Sequence, residues 1–203
     1  MSNDSGIDQD ELHFPEMVKS NFSFLEKRGF KLEEESKICV RYCSAKVTIS
    51  IYFENYFEIS IYFSRSGFEG HSFSHNEILF WAVQTGRIKE MPEWGKCQAS
   101  TPEAVEHVLA KIAMFVSSYA EAILECDDTV YENLERNRSI VSAQYAKERK
   151  VANNRKEAES AWRLQDHEVV AELYGEVEDN ITSSEKMKLS YARKQLASAG
   201  RKS

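Results

Sequence analysis

The sequence predicts an α+β fold: an N-terminal helix, a three-stranded antiparallel meander covered by helices, and an all-helical C-terminal extension. Three observations predict it. Val47 to Phe63 alternates apolar and polar residues in two runs, Val47, Ile49, Ile51, Phe53 and then Phe57, Ile59, Ile61, Phe63, split by Glu54-Asn55-Tyr56. Period two with a short polar break is a β-hairpin pattern. Val105, Val108, Leu109, Ile112, Phe115, Val116, Tyr119 and Ile123 recur at helical spacing over about six turns. Beyond Asp127 the apolar spacing is helical only. The implied organisation is a disordered tail over 1–10, an α+β domain over 11–126 and a helical extension over 127–203.

Taken in order, Glu11 to Arg28 reads as a helix through Phe14, Met17, Val18, Asn21 or Phe22, and Leu25. Gly29 suits the residue just past its end, with Phe30 folding back on Leu25. Lys31 to Lys37 is a charged connector. Ile38 to Cys43 is a strand with Ile38, Val40 and Tyr42 on one face. It turns at Ser44-Ala45-Lys46 into the hairpin, where Phe53 faces Phe57, Ile51 faces Ile59, Ile49 faces Ile61 and Val47 faces Phe63. These eight share one face, which needs a cover; Thr48, Ser50, Tyr52, Glu58, Ser60 and Tyr62 share the other. Ser64 to Ser74 is a loop, followed by a buried helix over Asn76 to Thr85 that Gly86 stops.

Arg87 to Ser100 is irregular around Pro92, Trp94 and Gly95. Phe68, Phe73 and Trp94 either close the core or line a pocket, with closure favoured. Thr101-Pro102-Glu103 opens the long helix with a cap, a proline at the first position and an acid at the positive end. That helix packs on the apolar face of the hairpin, giving two layers. Asp127-Asp128 caps a further helix with Val130 and Leu134, extended by Val141 and Tyr145, and followed by the polar, locally basic run Lys147 to Lys156. Asp166 caps His167 to Glu178. Thr182-Ser183-Ser184-Glu185 is a capping box for the last helix, with Met187, Tyr191, Ala192 and Leu196 inward and Gly200 past its end.

Composition bounds the function. The chain has 203 residues, 42% hydrophobic, with a net charge of −7, enough for a packed core. Neither half, divided after Ser100, is basic, so a phosphate backbone is a poor match; a nucleic-acid contact at Lys147–Lys156 lacks interleaved aromatics. No apolar run is long enough to span a bilayer. The polar, acidic start is unlike a signal peptide, and four cysteines without such a signal point to reduced thiols in a cytoplasm. Cys39 and Cys43 share a strand face with Arg41 about 13 Å apart, too far for one metal or a disulfide.

No Gly-rich phosphate loop, G-x-S-x-G elbow or C-x2-C occurs. His71 and His75 stand four apart, but Gly67 and Gly70 oppose the helix that would present both rings to a metal. The expectation is therefore no catalytic residue, no metal and no cofactor. An enzyme would need a pocket gathering Cys97, His71 and His75; a Cys97–His107 pair is one of many equally vague combinations. Partner binding falls on Tyr52, Glu58 and Tyr62 of the second sheet face, since tyrosine is favoured at interfaces, and on the helical tail.

Phe24-Leu25 through Gly29-Phe30 with VTISIYF/FEISIYF, and YAEAIL with AESAWRLQDHEVVAELY and SSEKMKLSYARKQL, resemble a broad group of small bacterial proteins of unknown function. Some members, encoded near toxins, are regarded as immunity proteins. Residues 158–199 also resemble a single tetratricopeptide unit, a helical hairpin that docks on a neighbour. The resemblance follows hydrophobic positions; it implies a fold and transfers no site residue. The role it implies is a cytoplasmic, non-catalytic interaction protein that sequesters a protein partner, such as a toxin. The alternatives are a helical adaptor of a larger complex, or an enzyme or nucleic-acid binder.

Overall fold

A computed structural model describes residues 12–54, 58–68, 70–92, 98–99 and 101–199. The expected tail, the turn residues Asn55 and Tyr56, Phe57, Trp94, Gly95, Cys97 and Gly200 lie outside the described residues. The chain divides into two compact units, 1–138 and 139–203. The first carries 14 Lys and Arg against 23 Asp and Glu, a net −9; the second carries 12 against 10, a net +2. The acidity that looks even when the chain is halved therefore belongs to the first unit.

The first unit is α+β. Its sheet has five antiparallel strands in sequence order: β1 Lys31–Ser36, β2 Cys39–Cys43, β3 Val47–Glu54, β4 Glu58–Arg65 and β5 Phe73–Ser74. The expected three-stranded meander lies at its centre. The charged connector is a strand, because every side chain of Lys31–Ser36 is exposed and an edge strand needs no apolar alternation. A register irregularity between Leu32 and Glu34 interrupts its pairing to β2. The expected loop over 64–74 contains the end of β4 and all of β5.

The hairpin keeps its faces and changes its register. Phe53 faces Ile59, Ile51 faces Ile61, Ile49 faces Phe63 and Val47 faces Arg65. This is two residues from the expected pairing. A slip of two leaves each side chain on its own side of the sheet, so alternation is blind to it. Ile38 lies just outside β2 and is exposed, whereas Val40 and Tyr42 are buried.

The apolar face is covered by helices: α1 Phe14–Asn21, α2 Phe24–Lys27, α3 His75–Gln84, α4 Pro102–Tyr119 and α5 Glu121–Leu124. Their buried residues join one core with the strands, including Phe14, Val18, Ile78, Leu79, Leu109, Ile112 and Val116. The Phe14 and Phe53 rings meet at 5.6 Å. The expected single first helix is broken at Phe22-Ser23, where Phe22 is fully buried in that core.

Local signals hold where they were read. Gly29 has φ +85°, Phe30 N–H donates to Leu25 O at 3.1 Å, and both Leu25 and Phe30 are buried. Thr101 Oγ1 accepts from Ala104 N–H at 3.2 Å. At the start of α3 the structure adds a capping box of Ser74 and Glu77 that was not expected.

α6, Asp128–Arg163, is one helix of 36 residues, its first turns in the first unit and the remainder in the second. Val130, Tyr131 and Leu134 belong to the core of the first unit. All side chains from 139 to 150 are exposed. Val141 and Tyr145, at helical spacing after Leu134, are exposed together with Ile140, and propensity with i,i+4 pairs such as Gln144–Glu148, at 3.0 Å, sustains the helix here.

The second unit continues with α7 His167–Gly175 and α8 Ser183–Ala199, separated by a 3-10 turn at Glu178–Asn180. Asp166 caps α7 by accepting from Val169 N–H, and Thr182 and Glu185 form the expected capping box. Its core is small: Ala158, Ala161, Val170, Tyr174, Val177, Ile181, Leu189 and Ala192. α8 is rotated from the expected orientation. Leu189 and Ala192 point inward, whereas Met187, Tyr191 and Leu196 are 68%, 48% and 40% exposed. Ala192 is the one inward assignment on this helix that stands. Among the described residues, no helix is long and apolar enough to cross a membrane.

Candidate functional site

Alternation along β2, β3 and β4 gathers polar side chains on the sheet face opposite the core. The register aligns Glu34, Arg41, Ser50, Tyr62 and Ser74 in one row across all five strands. The next row aligns Ser36, Cys39, Tyr52 and Ser60. Small residues line the middle: Thr48, Ser50, Ser60 and Ser64 are buried. Arg41, Tyr52 and Tyr62 rise above them and are half-buried.

Arg41 is the hub of this face. Its Nη1 lies 2.8 Å from Glu34 Oε2, its Nε donates to Ser50 Oγ at 3.2 Å, and its Nη2 donates to Tyr52 Oη at 3.4 Å. A guanidinium presents its donors in a planar fork, so one side chain can tie three strands together. The hydrogen bond to Tyr52, and then the Glu34 charge, raise its pKa against the lowering effect of burial. Tyr52 and Tyr62 meet edge to face, ring centroids 5.9 Å apart at 66°.

Of the predicted contact residues, Tyr52 and Tyr62 are thus brought into contact. Glu58 lies on the same face at the end of the hairpin, opposite Glu54. Glu54 accepts from Ser60 Oγ at 3.0 Å. Glu54 and Glu58 place two carboxylates at that end of the face. Cys39 and Cys43 are free thiols. Burial pushes both thiols up; Cys43 donates to Glu33 and lies 3.0 Å from Thr48 Oγ1. Neither is activated as a thiolate.

Arg41 and Glu34 are the residues of this candidate face that the sequence reading did not name as contacts. Arg41 was legible, since C-V-R-Y-C places it opposite Val40 and Tyr42. Glu34 was not, because it lies in a segment with no apolar alternation.

The enzyme alternative would gather Cys97, His71 and His75 in one pocket. His75 is buried in the first turn of α3, His71 is exposed, and Cys97 lies outside the described residues. His71 lines a groove of about 490 Å³ with Phe68, Phe73, Tyr131 and Arg65. Phe73 is buried and closes the core, whereas Phe68 is 64% exposed. Arg65 lies over the Tyr131 ring at 4.8 Å. Among the described residues, no three His, Cys, Asp or Glu side chains converge as metal ligands.

Behind Ser74 the polar network continues to Glu77, whose carboxylate accepts from Ser74 and from Arg138 Nε at 2.7 Å and Nη2 at 3.0 Å. Burial raises the Glu77 pKa, but the Arg138 and Ser74 hydrogen bonds outweigh it and hold the carboxyl below its ordinary value.

Comparison with known proteins returns no matching family model, no matching curated protein and no matching solved structure.

Proposed function

We propose that the chain is a non-catalytic protein-interaction protein that sequesters a protein partner in the cytoplasm, in the manner of an immunity protein holding a toxin. The observation that carries this reading is the polar sheet face. Two tyrosines meet edge to face, one of them bonded to the Arg41 guanidinium, with Glu34, Glu54 and Glu58 on the same face. Tyrosine and arginine at the middle of a patch, with charge at its margin, match interface composition. The unit bearing the face has a net charge of −9. That favours a basic partner surface, reached by fast, salt-sensitive association.

The test is copurification with the product of a neighbouring gene, together with protection of cells that express that gene. Tyr62→Ala and Glu58→Lys are expected to weaken capture by roughly tenfold or more, and added salt to weaken it further. If the chain neither copurifies with such a product nor protects, the reading is abandoned.

A second reading, a helical adaptor in which the second unit binds a segment of a larger complex, is favoured by the outward apolar stripe of α8. Its resemblance to a tetratricopeptide unit supports the same reading.

A further inference from the structure

The second unit carries an aromatic cluster at the edge of its small core, with Trp162 packed against that core and Tyr191 exposed. Trp162, near the end of α6, His167, at the start of α7, and Tyr191, on α8, form a three-ring cluster. Trp162 and Tyr191 are 5.5 Å apart, His167 and Tyr191 5.5 Å, and Trp162 and His167 6.0 Å. Met187 stands one turn before Tyr191 and is mostly exposed. These side chains line a groove of about 660 Å³.

The polar part of that groove has one sign. Its lining includes Arg163 and Lys188 and no carboxylate. Lys188 is already engaged, bonded to Glu159 and 5.7 Å from the Trp162 ring centroid. Arg163 is exposed and carries no salt bridge among the described residues. His167 Nδ1 is buried without a hydrogen-bond partner among them. Tryptophan, tyrosine, methionine and arginine are the residue types enriched where interfaces bury most energy. After the Lys188 hydrogen bond, the Arg163 charge helps hold Glu159 below its ordinary value without forming a salt bridge to it; an exposed guanidinium beside apolar rings selects a carboxylate next to an apolar side chain and repels a cationic segment.

We propose that this groove docks an acidic peptide segment of a partner protein. One aliphatic or aromatic side chain seats against Trp162 and Met187, and a neighbouring carboxylate pairs with Arg163. The proposal rests on the adaptor reading and names the chemistry of its ligand; it is independent of the sheet face.

The test selects a random peptide library on the full-length chain and measures the enriched peptides by fluorescence anisotropy. Enriched sequences are expected to carry Asp or Glu beside an aliphatic or aromatic residue. Arg163→Glu and Met187→Glu, both at exposed positions, are expected to leave the unfolding midpoint unchanged and to weaken binding at least about tenfold. Tyr62→Ala is expected to have no effect. Neutral or basic peptides that lose binding with Met187→Glu would overturn the acidic ligand while leaving an adaptor. Failure to enrich any peptide sensitive to Met187→Glu would overturn both.

Discussion

The two units solve the same problem with different means. Among the described residues the sheet unit buries 34 apolar side chains in one core, and the helical unit buries 8. Where the first relies on apolar area, the second adds polar ties between helices. Asn154 Nδ2 donates to Leu173 O at 3.0 Å, Arg155 Nη2 donates to Asn180 O at 2.7 Å, and Tyr174 Oη donates to Glu159 at 3.3 Å. Apolar burial is non-directional and tolerates small shifts, whereas hydrogen bonds fix geometry and weaken when either partner changes protonation. The comparison separates a robust scaffold from a smaller unit that is easier to perturb and that keeps its large apolar side chains available.

Breaking each core is the strongest test. Ile61→Ala in the sheet unit is expected to cost about 3–4 kcal/mol, and Leu189→Ala in the helical unit about 2–3 kcal/mol. Hydrogen exchange should then show protection lost over α7 and α8 alone in the second variant. Loss spread over the sheet as well would mean the two units do not unfold separately.

Acid sharpens the contrast. In the helical unit, Glu159 is held below its ordinary value by Lys188, Glu176 by Lys150 and Glu178 by Arg193. In Glu185 burial acts upward, and the Thr182 hydrogen bonds outweigh it. A depressed folded pKa contributes stability above the unfolded value that is lost as pH falls through the folded one. The helical unit is therefore expected to lose exchange protection first below the ordinary glutamate value of 4.5. In the sheet unit, Glu77→Gln is expected to cost about 1–2 kcal/mol at neutral pH. By the same sign, denaturation midpoints of variant and parent should converge in acid.

Smaller effects test local geometry. Gln165 has φ +59° at the end of α6, where Asp166 N–H donates to Ala161 O at 3.0 Å, so the helix stops as it would with glycine. Gln165→Gly is expected to raise the stability of the helical unit by about 0.5–1 kcal/mol, read as a higher unfolding midpoint. In the sheet unit, the Tyr42 hydroxyl is buried without a hydrogen-bond partner among the described residues, and burial pushes its pKa up to about 12. Tyr42→Phe removes that group and is expected to be neutral or slightly stabilising in denaturant. Lys19→Ala breaks an exposed 2.7 Å pair with Glu35 and is expected to shift stability by less than about 0.5 kcal/mol.

Much of the candidate site was legible, and the rest had a physical reason to be hidden. Strict alternation put Tyr52, Glu58 and Tyr62 on one face, and β-pairing then made the two tyrosines neighbours. The Glu34–Arg41 pair depends on β1, whose side chains are all exposed and leave no pattern. The Met187–Tyr191 stripe was legible as apolar, but its direction was not. A stripe reads as inward only if the core is large enough to take it, and on α8 that space goes to Leu189 and Ala192.

By itself the sequence determined the side of each central strand, the caps at Thr101, Asp166 and Thr182, and the glycine stop at Gly29. Each depends on residues within about five positions, where backbone geometry leaves few choices. Only the tertiary structure decided the two-residue register of the hairpin, the recruitment of Lys31–Ser36 and Phe73–Ser74 into the sheet, and the outward turn of α8. Those depend on partners distant along the chain, and local patterning assigns the same score to the alternatives.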